Sequence, residues 1–232
     1  GAEPGPSGMW NSHIKGLLRT RKGVETFRQF TAMWSSFPMR TGITRLWLNL
    51  KVAPLRKPNG GVRPIGLCEC LLKATTGLSI HVHREQLRKL FEPQQLSVHT
   101  PGGAEQIIFK NRALAKMQPN LAQTQLDMKN AYGAASKVCT LEEAAEVKHP
   151  TANTFANICQ TEFTVWAQQA TDLWISFPVY DGYIQGEVAS NPGFCMTLRR
   201  VLRQFKTQAL SRLERMPTTS LCMLRHRMSP TY

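Results

Sequence analysis

An α+β domain is the fold class this sequence predicts, and three observations carry it. Strand-period and helix-period segments alternate irregularly along the 232 residues. Gly and Pro punctuate short elements, and neither an internal repeat nor the steady rhythm of a doubly wound sheet is present. With 42% hydrophobic and 19% charged residues, the chain holds enough apolar material for one sizeable core or two small ones, which excludes the disordered, collagen-like and disulfide-scaffold classes. Charges or turn residues interrupt every apolar stretch before the roughly 18–20 residues a membrane helix requires, and no secretory signal is visible.

The opening Gly5-Pro6-Ser7-Gly8 is a turn cluster. Ser12 is placed to cap a helix with Ile14, Leu17 and Leu18 on its apolar face, and the basic stretch from Thr20 to Gly23 ends it. Arg45 to Val52 alternates, with Leu46, Leu48, Leu50 and Val52 on one side, the period of a half-buried strand. Asn59-Gly60 then predicts a tight turn, because both residues tolerate positive φ; the flanking runs fold back on each other and present Arg56, Lys57 and Arg63 around it. Residues 69–91 read as mostly helical, with Leu87, Leu90 and Phe91 at helical spacing.

The Pro101-Gly102-Gly103 break precedes a helix over 104–117 with Ile107, Ile108, Leu114 and Met117 inward, and residues 123–127 form a short strand candidate. Phe155, Ile158, Cys159, Phe163 and Trp166 recur at three- and four-residue steps and predict one amphipathic helix. Leu173 to Val179 is strand-like, with Asp181-Gly182 closing a hairpin onto Tyr183-Ile184. Asn191 as cap and Pro192 as first residue open a long helix that buries Phe194, Leu198, Val201, Leu202, Phe205 and Leu213.

Charge is unevenly distributed. Residues 1–137 carry 20 Lys/Arg against 7 Asp/Glu, residues 138–198 one Lys against seven acids, and residues 199–232 eight Lys/Arg against Glu214 alone. A net +14 concentrated at both ends favours a polyanionic partner, nucleic acid first, bound through phosphate neutralisation and counterion release. Six cysteines without dense spacing read as reduced thiols of an intracellular protein. Cys68-x-Cys70 and His81-x-His83 lack the spacing of a zinc knuckle and read as packing cysteines and surface histidines.

Aspartate occurs only at positions 127, 172 and 181. Asp127 ends the strand candidate and precedes the small-residue turn Met128-Lys129-Asn130-Ala131-Tyr132-Gly133, a place where a carboxylate either caps the turn or holds a hard cation such as Mg²⁺.

Taken in order, several segments resemble the reverse transcriptases, particularly those of non-LTR (LINE-type) retrotransposons. Gly5-Pro6-Ser7-Gly8 is similar to a Gly-Pro-x-Gly segment of that family, Pro54 to Ile65 to its basic fingers hairpin, and Pro101-Gly102-Gly103-Ala104 to the segment before the next helix. Leu126-Asp127-Met128-Lys129-Asn130-Ala131-Tyr132 resembles the first palm motif, and Gln185-Gly186-Glu187-Val188-Ala189-Ser190-Asn191-Pro192-Gly193-Phe194 the second.

The resemblance implies a right-hand polymerase: a helical lead-in over 1–44, fingers over 45–120, a partial palm over 121–205, and a basic tail over 206–232 with the thumb absent. It implies RNA-directed DNA synthesis on an RNA template with a DNA primer, deoxynucleoside triphosphates and Mg²⁺. Asp127 and the Met128 carbonyl would be the metal ligands and Asp127 the catalytic acid residue. Tyr132 would lie under the sugar of the incoming nucleotide, Lys57 and Arg63 would meet its triphosphate and the template backbone, and Gln185 and Gly186 would approach the new base pair.

Departures from the family pattern shape the expected activity. Glu187 stands where the family usually has Asp, and a Pro is displaced to Pro192. The third palm motif with its paired aspartates has no counterpart: no Asp follows Asp181 and no acid follows Glu214. Two-metal phosphoryl transfer needs further carboxylates beside the first. The sequence therefore reads as a fragment of a longer polypeptide, inactive or nearly so by itself, with a degenerate, non-catalytic basic nucleic-acid-binding module as the alternative.

Overall fold

The structure, a computed structural model, describes residues 3–58, 60–119 and 128–213, with side chains as far as residue 204. It has mixed α+β architecture. The chain divides into two compact units, residues 1–197 and 198–232, with the division inside the last helix.

Three helices come first: α1 (Asn11–Leu17), α2 (Arg21–Ser36) and α3 (Thr41–Trp47). Helix α1 begins one residue before Ser12 and buries none of its residues, so the Ile14, Leu17, Leu18 face is not a core face. The Thr20 region both ends α1 and starts α2, because the Thr20 hydroxyl accepts the Gly23 N–H at 3.0 Å.

Strand β1 (Asn49–Arg56) starts four residues later than the alternation suggests. The Asn49 side-chain amide donates to the carbonyls of Arg45 and Leu46, closing α3, and Leu46 is left 72% exposed while Leu48 and Leu50 are sealed. The chain turns back after Lys57, whose N–H donates to the Gly61 carbonyl at 2.7 Å, and β2 (Val62–Cys68) pairs with β1 in antiparallel register, Leu50 opposite Cys68 and Arg56 opposite Val62. Gly60 has φ +81°, as the turn requires.

The helical run over 69–91 is two helices, α4 (Cys70–Val82) and α5 (Arg84–Phe91), which meet at His83 and bury Leu87 and Phe91. Helix α6 (Gly103–Met117) follows the Pro-Gly-Gly break, but Ile107, Ile108, Leu114 and Met117 all lie on exposed surface. The strand candidate over 123–127 and the tail from 214 onward lie outside the described residues.

Helices α7 (Lys137–Glu146) and α8 (Ala152–Cys159) lead into strands β3 (Phe163–Ala170) and β4 (Leu173–Val179). The predicted helix from Phe155 through Trp166 therefore stops at Cys159. Phe163 and Val165 instead alternate inward as a strand, with the Thr164 N–H on the Leu48 carbonyl at 2.9 Å; pairing with β1 overrides a helical spacing that five residues happen to share. β3 runs parallel to β1 and antiparallel to β4, so the sheet order is β2-β1-β3-β4.

Asp181-Gly182 does not close a hairpin. β4 pairs back on β3, and the Tyr183 N–H goes to the Tyr132 carbonyl at 2.7 Å. Helix α9 (Ser190–Leu213) starts just before Asn191, with Cys195 and Met196 buried and Val201 52% exposed. The core joins the sheet to α2, α4 and α8 through Trp34, Leu50, Leu72, Phe155, Ile158 and Phe163. Asn157 of α8 locks the α2–α3 junction, donating to the Trp34 and Phe37 carbonyls and accepting the Met39 N–H.

Candidate functional site

One face of the sheet opens into a cleft of about 660 Å³. Its walls come from the β1–β2 hairpin, residues 129–133, Val165 of β3, and the stretch from Phe177 of β4 to Gln185 ahead of α9. Lys57, Arg63, Tyr132 and Gln185 all line it, together with Lys129 and Asp181. Four positions nominated from sequence, separated by up to 128 residues, thus converge on one concavity.

The convergence has a local cause in glycine. The Gly66 N–H of β2 donates to the Gln185 carbonyl at 2.7 Å, pinning the Gln185-Gly186 turn to the hairpin. Gly186 adopts φ +106°, and a Cβ there would sit 2.6 Å from the Gly66 carbonyl oxygen. A Cβ on Gly66 would meet the Ile184 side chain at 2.6 Å. The two backbones approach as closely as they do because neither has a side chain at the crossing.

Tyr132 is braced by α9. Its ring packs edge-to-face on Phe194 of α9, centroids 5.7 Å apart at 79°. Its carbonyl holds Tyr183, and the Gly182 backbone packs directly on Gly133. Asp181 Oδ1 accepts from the backbone N–H groups of Lys137 (2.7 Å) and Gly182 (2.9 Å), so this carboxylate works as a cap for α7.

Under the cleft lies a buried polar layer. Tyr183 donates its hydroxyl to Thr140 of α7 at 2.9 Å and touches the Cys159 sulfur at 3.2 Å. Burial pushes the Cys159 thiol up to about 12, and the Tyr183 phenol rises well above its ordinary value for the same reason. Lys137, only 2% exposed, rests its ammonium on the Thr161 carbonyl at 3.3 Å and over the Phe163 ring at 4.5 Å; desolvation lowers its pKa. Glu187 is buried against the start of α9, accepting from the Ala189 N–H and the Ser190 hydroxyl. Burial still outweighs those bonds and raises its carboxyl to about 7.

Met128 is 51% exposed and not among the cleft-lining residues, whereas Gly186 sits behind Gln185 as its hinge. Arg56 is exposed and does not line the cleft, and Asp127 lies outside the described residues. Sequence reasoning passed over Lys129 and Lys137, and it gave Asp181 a turn role without its capping bond. Lys137 and Asp181 lie 44 residues apart, so their contact is tertiary and offers no local signal. Ser136 as a cap before Lys137 is the one legible cue for α7, its hydroxyl accepting the Cys139 N–H.

The described residues do not furnish a complete Mg²⁺ site. Asp181 is the carboxylate lining the cleft, its Oδ1 is taken by two backbone donors, and no group of three or more His, Cys, Asp or Glu stands together among the described residues. With Lys57, Arg63 and Lys129 against Asp181, the charge of the lining is positive and suits a phosphate-bearing ligand.

No family model matches the chain, and no curated protein matches it. Among solved structures it is similar to apo telomerase from Candida tropicalis truncated from its C-terminal domain, at 18% identity and a TM-score of 0.46. The match covers 70% of this chain and 40% of that one. Among the described residues no helix is long and apolar enough to cross a membrane.

Proposed function

We propose that residues 45–120 are the fingers and residues 121–205 part of the palm of a reverse transcriptase-like polymerase of the non-LTR type. The cleft receives a deoxynucleoside triphosphate against an RNA template paired to a DNA primer. The observation that carries this reading is the convergence of Lys57, Arg63, Tyr132 and Gln185 on one positively charged cleft.

In this reading Arg63 offers a bidentate fork to phosphate oxygens and Lys57 a mobile point charge at the hairpin tip. Tyr132, held by Phe194, presents its ring to the sugar, where a 2′-hydroxyl meets it sterically. Gln185, held by the Gly66 bond, faces the nascent pair. Two metals coordinated from Asp127 would supply activation of the primer hydroxyl and neutralisation of pyrophosphate. No Asp follows Asp181 and no acid follows Glu214 in the sequence, so we infer that the 232-residue polypeptide binds without polymerising.

The test is primer extension on an RNA template with Asp127→Ala as control, run beside binding of the same RNA–DNA hybrid. Binding without extension fits the reading. Robust extension that depends on Asp127 overturns the inactivity, and absence of hybrid binding overturns the reading itself.

A second reading, a non-catalytic basic nucleic-acid-binding module, draws on the missing carboxylate cluster among the described residues. It expects salt-sensitive binding indifferent to Mg²⁺, to Asp127→Ala and to the identity of residue 132.

A further inference from the structure

The sheet has a second face. Register places Lys51 of β1 opposite Leu67 of β2 and Trp166 of β3, and Gln168 of β3 opposite Trp174 of β4. Because side chains alternate along a strand, these residues share the side away from Val165 and Phe177, a β3–β4 pair that lines the cleft. On that side a recess of about 570 Å³ is lined by Glu3, Lys51, Leu67, Gln168, Thr171 and Trp174, among others. This size is within the range of small-molecule sites, roughly 300–1,000 Å³.

We propose that this recess is a stacking platform for the unpaired stretch of an RNA template, with Trp174 as the flat surface and Lys51 as its phosphate contact. The proposal rests on the reading of the cleft given above and extends it around the same sheet.

Trp174 is 40% exposed on an edge strand, in contrast to Trp34 at 0%. An indole left in water at a sheet surface offers a π-face, and every nucleobase has a matching one, so stacking there is tolerant of sequence. The Lys51 ammonium lies 5.6 Å from the Trp174 ring centroid, within cation–π range. A base sliding onto the indole displaces the ammonium toward the phosphate that follows the base. Gln168 donates its amide to the Thr171 carbonyl at 2.8 Å and braces the β3–β4 turn beside the ring.

Single-stranded polynucleotide is favoured over a protein partner on two grounds. Lys51, Gln168, Gln169 and Thr171 stand among the lining residues, so the recess is more polar than the core of a packed protein interface. The segment from 1 to 137 that supplies β1 and β2 carries 20 cationic against 7 acidic residues. Duplex is disfavoured, since paired bases hide their faces. Glu3 opposes phosphate at the rim, so the backbone of the bound strand runs along the Lys51 side.

The experiment uses the full chain and two RNA–DNA hybrids, one blunt and one with a 5′ RNA overhang bearing 2-aminopurine. Trp174→Ala weakens binding of the overhang hybrid about tenfold, restores the 2-aminopurine fluorescence that stacking quenches, and leaves the blunt hybrid unchanged. Trp174→Phe retains the quenching, Lys51→Ala lowers the salt dependence of overhang binding, and Glu3→Gln tightens it. Lys57→Ala weakens both hybrids. If Trp174→Ala and Lys51→Ala bind the overhang as wild type while Lys57→Ala weakens both hybrids, the platform is wrong and the cleft reading stands. If Lys57→Ala changes neither hybrid, the cleft reading on which the platform rests is overturned. Equal binding and quenching with a DNA overhang overturns the assignment to RNA. Thermal melts coincident with wild type establish that Trp174→Ala and Lys51→Ala fold; should either fail, Trp174→Phe and Glu3→Gln decide.

Discussion

Substituting Gly186 by alanine is the sharpest probe of how the cleft is assembled. At φ +106° an alanine carries backbone strain of about 1–3 kcal/mol. Its Cβ would also press on the Gly66 carbonyl oxygen at 2.6 Å and the Ile65 side chain at 3.1 Å, an overlap worth about 1–3 kcal/mol once neighbours shift. Relief of that overlap lengthens the Gly66–Gln185 bond, whose net value is about 1 kcal/mol. Because the same shift relieves more than one of these terms, we expect a total of about 3–4 kcal/mol.

Gly60 is the control. Its φ is +81°, and nothing lies within 4 Å of a built Cβ, so Gly60→Ala carries the conformational cost alone, about 1 kcal/mol. Urea unfolding followed by circular dichroism reads both. With a slope of about 2 kcal/mol/M, the midpoint falls by about 1.5–2 M for Gly186→Ala and by about 0.5 M for Gly60→Ala. Equal midpoints for the two variants would refute the close backbone crossing as the device that brings Gln185 to the hairpin.

Glu187→Gln should flatten a pH dependence. The native carboxyl titrates near 7 against an ordinary value of 4.5, so between those values the folded state holds a proton the unfolded state has lost and stability falls as pH rises, by about 3 kcal/mol in all; the wild-type minus variant difference in unfolding free energy at pH 5 and 7.5 checks it. Lys137→Met replaces a desolvated ammonium with a side chain of similar length. Since the native lysine pKa lies below 10.5, wild-type stability rises with pH in the window beneath that value, and the variant should lack the rise in thermal melts at pH 8 and 10. Tyr183→Phe removes the hydrogen bond to Thr140 and should cost about 1 kcal/mol in urea unfolding, with the ring still seated on Gly193.

Local chemistry made the β1–β2 hairpin readable from sequence, because Gly60 carries its own preference for the positive φ that the connection uses. Helix burial over Leu87 and Phe91 was readable for a similar reason, the period being set within one element. Elements whose ends depend on distant partners were not readable. Asn49 ends α3 with its side chain and so delays β1, and Phe163 leaves a helical period only because Leu48 offers it a strand. The exposed Ile107, Ile108, Leu114 and Met117 show that spacing marks an apolar stripe without saying what covers it.

In the site, the family resemblance supplied Lys57, Arg63, Tyr132 and Gln185 as separate positions. Their meeting depends on Gly66, Gly182 and Gly186 sitting at backbone crossings, which no single segment reveals. Nothing local marks Lys137, and Glu187 reads only as a departure from the family's Asp; the packed fold is what buries both.

In the function proposed above, Lys57, Arg63 and Tyr132 face one bound nucleotide. Equilibrium binding of fluorescent deoxy- and ribonucleoside triphosphates to the chain carrying an RNA–DNA hybrid tests it most directly. Lys57→Ala and Arg63→Ala should each weaken deoxynucleotide binding several-fold, and Tyr132→Ala should bring the deoxy-to-ribo preference close to one. Unchanged affinity in both cation variants, or an unaltered sugar preference without the Tyr132 ring, would contradict it.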